Sequence, residues 1–314
     1  MNPVSKLKPK PLKKEQFLSP DFFFYWSLKG FSLSFIFLLF SIAFYLYQQA
    51  MPAMIHLNWE FFSQFTWNPS KSIFGIPPLV YGTFVSSFLA LFISMPISIG
   101  VAILVTQLLP PLLSHFIGFL IEMLAAIPSI VYGLWGIFVL VPWLEHTGQP
   151  WLAKYLGFLP FFQGYSYGVG MLAAILILAL MITPTLFSLT REIFISIPHS
   201  SKEAILALGA TRWEMIQISI LHATKRGIFS AALLALGRAL GETMAISMVI
   251  GNYPQISLSL FAPAQSMANI IANEYMEASS ELHLAALGET ALLLFGLTFL
   301  IHLLARTLIF KYKS

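Results

Sequence analysis

Arg238 and Glu242 stand four residues apart in GRALGETMAISMVIGN, residues 237–252, inside an apolar run that begins just after Lys225 and Arg226. A charge at the centre of a bilayer costs about 2.5–3.5 kcal/mol on insertion scales, so such residues face a bundle interior or a water-filled path. On a helix, residues four apart share a face and can pair. Two kinds of chemistry fit. A neutralised pair would fix helix packing. Alternatively, the planar guanidinium fork of Arg238 would compensate a tetrahedral oxyanion in a low-dielectric path. Glu242 would then hold the arginine and keep the anion from binding too tightly to leave.

Other candidates are less specific. Glu122 falls near the inner end of the third predicted span, as an acidic pathway lining or as the partner of a helix-end amide or a neighbouring span. Gly237 and Gly241 have the small-xxx-small spacing of close helix packing. Asn252, Asn273 and Glu274 are expected outside, in a solvated loop or near a docked protein. The block ALGET occurs at 239–243 and again at 286–290, which puts Glu289 near the start of the sixth span; nothing around it repeats. The seven histidines show no metal-ligand spacing, and the absence of cysteine excludes disulfides, iron–sulfur clusters and thiolate zinc sites. No Gly-Lys dipeptide exists, so the chain carries no phosphate-cradling P-loop and any ATP-driven motor must be another polypeptide.

The elements that must position these residues are membrane spans. Of 314 residues, 58% are hydrophobic and 10% charged, with mean hydropathy +0.80; a soluble domain carries about 25% charge. About 20 apolar residues span a bilayer, and six such stretches are present, at roughly 30–50, 79–106, 113–143, 167–190, 227–250 and 285–309. Pro110-Pro111 divides the second from the third, and Pro128 and Pro142 kink or shorten the third. The expected class is an all-α integral membrane protein of six transmembrane helices, with a basic tail at 1–29 and a membrane domain at 30–314.

Lys and Arg set the orientation. Fourteen of the seventeen fall in the tail, in the connection between spans four and five, and at the C-terminal end, against only Lys71 and Lys154 on the other side. The positive-inside rule puts both termini in the cytoplasm. The net charge of +4 is thus a topology signal and not a nucleic-acid footprint. No small-residue cleavage site follows the first apolar stretch, which reads as a retained helix.

The basic loop at 191–226 is the second unusual place. Ser200-Ser-Lys-Glu203 has the pattern of a capping box, and Gly209 permits a sharp turn before a second amphipathic stretch, Trp213 to Leu221. Two short helices are expected, either lying on the membrane or docking in a partner's groove.

The stretch EAILALGATRWEMIQISIL resembles the EAA loop by which ABC importer permeases dock on their ATPase. Glu203, Ala204 and Gly209 match that motif, whereas Ile205, Ser219 and His222 depart from it. The blocks FGIPPLVYGT, IEMLAAIPSIVYGLWGIFVL, GRALGETMA and IANEYMEAS resemble one subfamily, the C-type permease subunit of phosphate-specific (Pst) importers, from about residue 60 to the end of span six. The resemblance implies a type I ABC importer permease fold in a bacterial inner membrane. It implies that the chain is not an enzyme and holds no cofactor, ATP and Mg being bound by the ATPase. It also implies a related A-type permease partner, two ATPase subunits and an external phosphate-binding protein. The substrate would be inorganic phosphate, with Arg238 and Glu242 on its path, and Glu122 is added to that path from its position in span three. A permease for sulfate or molybdate would share this architecture. A gradient-driven transporter should show an internal repeat, and none is found. A non-transporting scaffold would need neither charge in span five.

Overall fold

The computed structural model describes residues 20–311, with side chains for 23–307. Of the basic positions used above, Lys6, Lys8, Lys10, Lys13, Lys14 and Lys313 lie outside the described residues, as does most of the expected tail. Among the described residues, five helices are long and apolar enough to cross a membrane: Phe23–His56, Pro77–Leu108, Ser129–Leu156, Met171–Ile195 and Glu281–Thr307. The chain divides at Gln48 into two units. The first is the run of helix α1 (Pro20–His56) up to that point, whose apolar side chains are exposed on all sides. A helix hydrophobic all round suits lipid or other helices.

The second unit is built around α5 (Met171–Ile195), in which nearly every residue from Met171 to Ile182 is buried. Three helices introduced before and after it pack directly on α5: α2 (Pro77–Ile103), α3 (Pro111–Ala125) and α8 (Ala223–Leu240). The buried face of α2 is a row of small residues, Gly82, Thr83, Ser86, Ala90, Ser94, Ser98 and Ala102. Small side chains let two backbones approach closely where no water drives association. Their hydroxyls are satisfied on carbonyls: Thr83 on Leu79 at 2.8 Å, Ser86 on Gly82 at 2.7 Å, and Ser98 across the interface on Thr183 at 3.0 Å.

Two expectations are corrected. The stretch at 113–143 is not one span, although the interruption expected at Pro128 is present. Helix α3 has 15 residues, about 22 Å, against a hydrocarbon core of about 30 Å. The chain then breaks at Ala126–Pro128, because a residue before proline is pushed out of the helical region. A new helix starts with α4 (Ser129–Trp135) and runs on to Leu156, passing Pro142 behind a widened π turn at Gly136–Leu140. The stretch at 227–250 is not one span either. A helix begins with α7 (Arg212–Met215), continues through a π segment at Ile216–His222 and ends with α8 at Leu240. After a break at Gly241–Thr243 comes the single turn α9 (Met244–Ser247).

Loop residues beyond α9 lead to α10 (Met267–Glu274) and α11 (Glu281–Lys311). This loop caps α5: the amides of Gly170, Met171 and Leu172 donate to the carbonyls of Val249 (2.9 Å), Ala262 (3.0 Å) and Leu260 (2.8 Å), which satisfies donors a helix start otherwise leaves orphaned. A short hairpin, β1 (Trp67–Asn68) with β2 (Ile73–Phe74), pairs Trp67 with Phe74.

Candidate functional site

Arg238 sits in the last turn of α8, and its Nη1 donates to Thr185 Oγ1 of α5 at 2.9 Å. Thr185 stands ten residues before the Ile195 end of α5, about 15 Å along the axis and so near the middle of a bilayer. Arg238 is exposed on the surface of this chain, and Thr185 is its one hydrogen-bond partner among the described residues. Most of the guanidinium's five N–H donors are therefore available to something outside the chain. Tyr132, buried in α4, lies within electrostatic reach of Arg238. Its hydroxyl donates to Leu124 O at 2.7 Å and so bridges the break between α3 and α4.

Glu242 does not pair with Arg238: no ion pair within 4.0 Å joins them among the described residues. Sharing a face at four residues' spacing holds only on a continuous helix, and α8 ends at Leu240. Glu242 folds forward and accepts from the amide of Ala245 at 3.3 Å, while Thr243 Oγ1 donates to Gly241 O at 3.2 Å. Non-helical backbone at membrane depth is tolerated where it is buried in protein or lines a polar cavity. The break and the charge beside it thus point to the same place.

The two glycines do different work. A Cβ on Gly237 would come within 2.7 Å of the His302 ring of α11, so Gly237 permits close packing of α8 and α11. Gly241 meets no side chain and ends the helix.

Glu122 is paired. Its Oε1 accepts from Arg191 Nη1 at 2.8 Å, joining α3 to the C-terminal end of α5, and Glu192 Oε1 lies 3.8 Å from the same Nη1. It is the bond to a neighbouring span that its sequence position allowed.

The loop carries α6 (His199–Ala207), then a turn at Gly209 with φ +89°, then α7. The expected turn is where the sequence put it. The expected capping box is not: α6 starts directly after Pro198, with no side-chain cap, and Ser200 lies inside it. The box belongs to Thr211 and Glu214. Glu214 Oε2 accepts from the Thr211 amide at 2.7 Å, and Thr211 Oγ1 accepts from the Glu214 amide at 3.3 Å. The Thr211 amide, and the Thr211 hydroxyl that donates to the same oxygen at 2.8 Å, hold the Glu214 carboxyl below the usual carboxylate range. The sequence carries this second pattern, Thr-x-x-Glu, eleven residues after Ser200. The second stretch is no separate short helix, since it runs into α8. Glu203, Ala204, Leu206, Leu208 and Gly209 are all exposed.

On the far side, Asn273 and Glu274 are half-buried in α10, whereas Asn252 is exposed in the loop after α9 but bonded to α10. Asn269, fully buried, accepts from Ser247 Oγ (2.5 Å) and Asn273 Nδ2 (2.8 Å) and donates to Asn252 Oδ1 (2.6 Å). Glu274 Oε2 accepts from Trp67 Nε1 at 2.9 Å and lies 2.8 Å from His283 Nε2, tying hairpin, α10 and α11 together.

This arrangement has known relatives. The family model described as "Binding-protein-dependent transport system inner membrane component" matches residues 94–312. The phosphate transport system permease protein PstC of Mesorhizobium japonicum is 39% identical over 303 residues, 95% of this chain and 93% of that one. Its namesake from Pasteurella multocida is 41% identical over 86% of this chain and 88% of its own. Among solved structures, a bacterial ABC transporter involved in the import of alginate gives a TM-score of 0.56 at 14% identity, covering 93% of this chain and 99% of that one. An inward-facing form of the MetNI methionine ABC transporter gives 0.51 at 20% identity, over 76% and 94%. Those likenesses establish the fold alone, the all-α architecture that these ABC transporter chains share. With that family model spanning most of its length, and with relatives 39% and 41% identical along nearly all of it, this chain belongs to the inner-membrane components of binding-protein-dependent transport systems.

Proposed function

We propose that the chain is the permease subunit of an ATP-driven phosphate importer and that Arg238 contacts the anion in transit. The observation that carries this reading is the exposed guanidinium at mid-membrane depth, held by one neutral hydroxyl and placed beside a broken helix. A charge does not face lipid at that depth. The face it lies on is therefore the wall of a path completed by a second, A-type permease subunit. Sequence similarity along nearly the whole chain to permeases named for phosphate supports the substrate. Glu242 acts from the break itself, independently of Arg238, and Glu122 acts through Arg191.

ATP and Mg are bound by two separate ATPase subunits, and this chain performs no chemistry of its own. The exposed faces of α6 and the Gly209 turn dock on the ATPase, and both termini share that cytoplasmic side. Closure of the ATPase pair swings the spans outward-facing, phosphate enters from an external binding protein, and hydrolysis resets the path inward. The test is labelled phosphate uptake in cells lacking their own high-affinity system, supplied with this chain and its partners as wild type or Arg238→Gln. Uptake by the wild type and none by a normally assembled variant supports the reading. Equal uptake makes Arg238 structural, and uptake abolished by competing sulfate or molybdate transfers the substrate to another oxyanion.

A further inference from the structure

Near the C-terminal end of α5 lies a second polar pocket, apart from the Arg238 site. A pocket of about 430 Å³ is lined by Gln107 at the end of the second span, His115 of α3, Arg191 of α5, and His199, Lys202 and Glu203 of α6. Its walls thus come from both sides of a mechanical boundary, the spans on one side and the proposed ATPase-docking helix on the other.

The lining is rich in donors that lack acceptors. Arg191 spends Nη1 on Glu122, but its Nε is buried without any partner. His115 Nδ1 donates to Pro111 O at 2.6 Å, which leaves Nε2 as an acceptor for a ligand hydroxyl. Lys202 is partly buried and makes no ion pair among the described residues; burial lowers its pKa below the ordinary lysine range. The one acid in the lining, Glu203, is exposed. Arg191 lies six residues beyond Thr185 on the same helix, about 9 Å farther along the axis, so this is not the Arg238 site.

We propose that this pocket binds a phosphate group through Lys202, His115 and Arg191, supplied either as free inorganic phosphate or as the headgroup of an anionic lipid. Occupancy joins α6 to the spans and so restrains the element that must move during coupling. The site does not depend on which solute the path carries, so its failure would leave the transport assignment standing.

The test uses the complete complex, purified in maltoside micelles free of added phospholipid and carrying Arg238→Gln to silence the path site. Binding of labelled inorganic phosphate and retention of added phosphatidylglycerol are both measured, without binding protein or nucleotide. The comparison is among the parent, His115→Gln with Lys202→Gln, and Lys202→Arg as a charge-keeping control that excludes misfolding. Loss of charged hydrogen bonds predicts binding weakened by about tenfold or more in the double variant and kept in Lys202→Arg. If free phosphate shows this pattern, the site takes the free ion. If only phosphatidylglycerol retention shows it, the occupant is the lipid headgroup. If neither ligand distinguishes the double variant from its parent, the proposal is wrong.

Discussion

Arg238 of α8 is held by Thr185 of α5, a 2.9 Å bond between a charged donor and a neutral hydroxyl across two packed helices. The carboxylate four residues on takes no part. A bond to a charged group contributes about 1.5–3 kcal/mol, so its loss should misdirect the guanidinium. Thr185→Val, which keeps the shape, should lower uptake about tenfold at normal membrane levels, while Thr185→Ser should keep most of it. Equal uptake by the valine variant would show that Arg238 needs no such support.

Because Arg238 and Glu242 do not pair, exchanging them should not restore function. The double variant Arg238→Glu with Glu242→Arg should be as inactive as either single variant. Restored uptake would mean that the two residues meet in some state of the cycle.

The pair at Glu122 and Arg191 should behave in the opposite way. Arg191 is mostly buried while Glu122 is half exposed, so solvent screening limits the gain to roughly 1 kcal/mol. Glu122→Ala should lower the melting temperature of the purified complex by a few degrees. The exchange Glu122→Arg with Arg191→Glu should recover part of that loss, and no recovery would argue against a pairwise contact.

Gly209 has φ +89° and open space around it. A Cβ there meets no neighbour, so a substitution acts through the backbone alone, at about 1–2 kcal/mol. Gly209→Val should uncouple ATP hydrolysis from uptake, and Gly209→Asn should be milder because asparagine tolerates this conformation. Equal coupling ratios for both variants and the wild type would remove the turn from the coupling path.

The Glu214 carboxyl is held low by the Thr211 bonds. The unfolded segment therefore binds a proton at higher pH than the folded one, so stability from the cap is fully present above the ordinary carboxylate value of about 4.3. It is lost as pH falls through the lower folded value. Amide-exchange protection at the start of α7 should follow that course, and Glu214→Ala should abolish the dependence. An unchanged profile in the variant would rule out the cap as its source.

Much of the architecture was legible in the residues. Four predicted spans are crossed by single helices because length and apolarity suffice to specify them, and Gly209 marked its turn because only glycine takes that backbone freely. The two failures have one physical cause: composition reports hydrophobicity but not continuity. Pro128 stops a helix inside an apolar run, whereas Pro142, in equally apolar company, is absorbed by a widened turn. Nothing in GRALGET distinguishes a helix that continues from one that ends at Leu240, and the spacing argument for the ion pair fell with that assumption. Thr185 was invisible for a different reason, since contacts between helices distant in sequence leave no local pattern.

The helix that begins at Arg212 runs without interruption to Leu240, and this makes it a lever. Its 27 residues from Arg212 to Arg238 give an arm of about 40 Å, so a tilt of only about 5° at the Gly209 end displaces the guanidinium by about 3 Å. That is the length of the bond to Thr185. A small rocking of the loop is enough to hand Arg238 from its hydroxyl support to another acceptor, without any span having to unfold or slide by a turn.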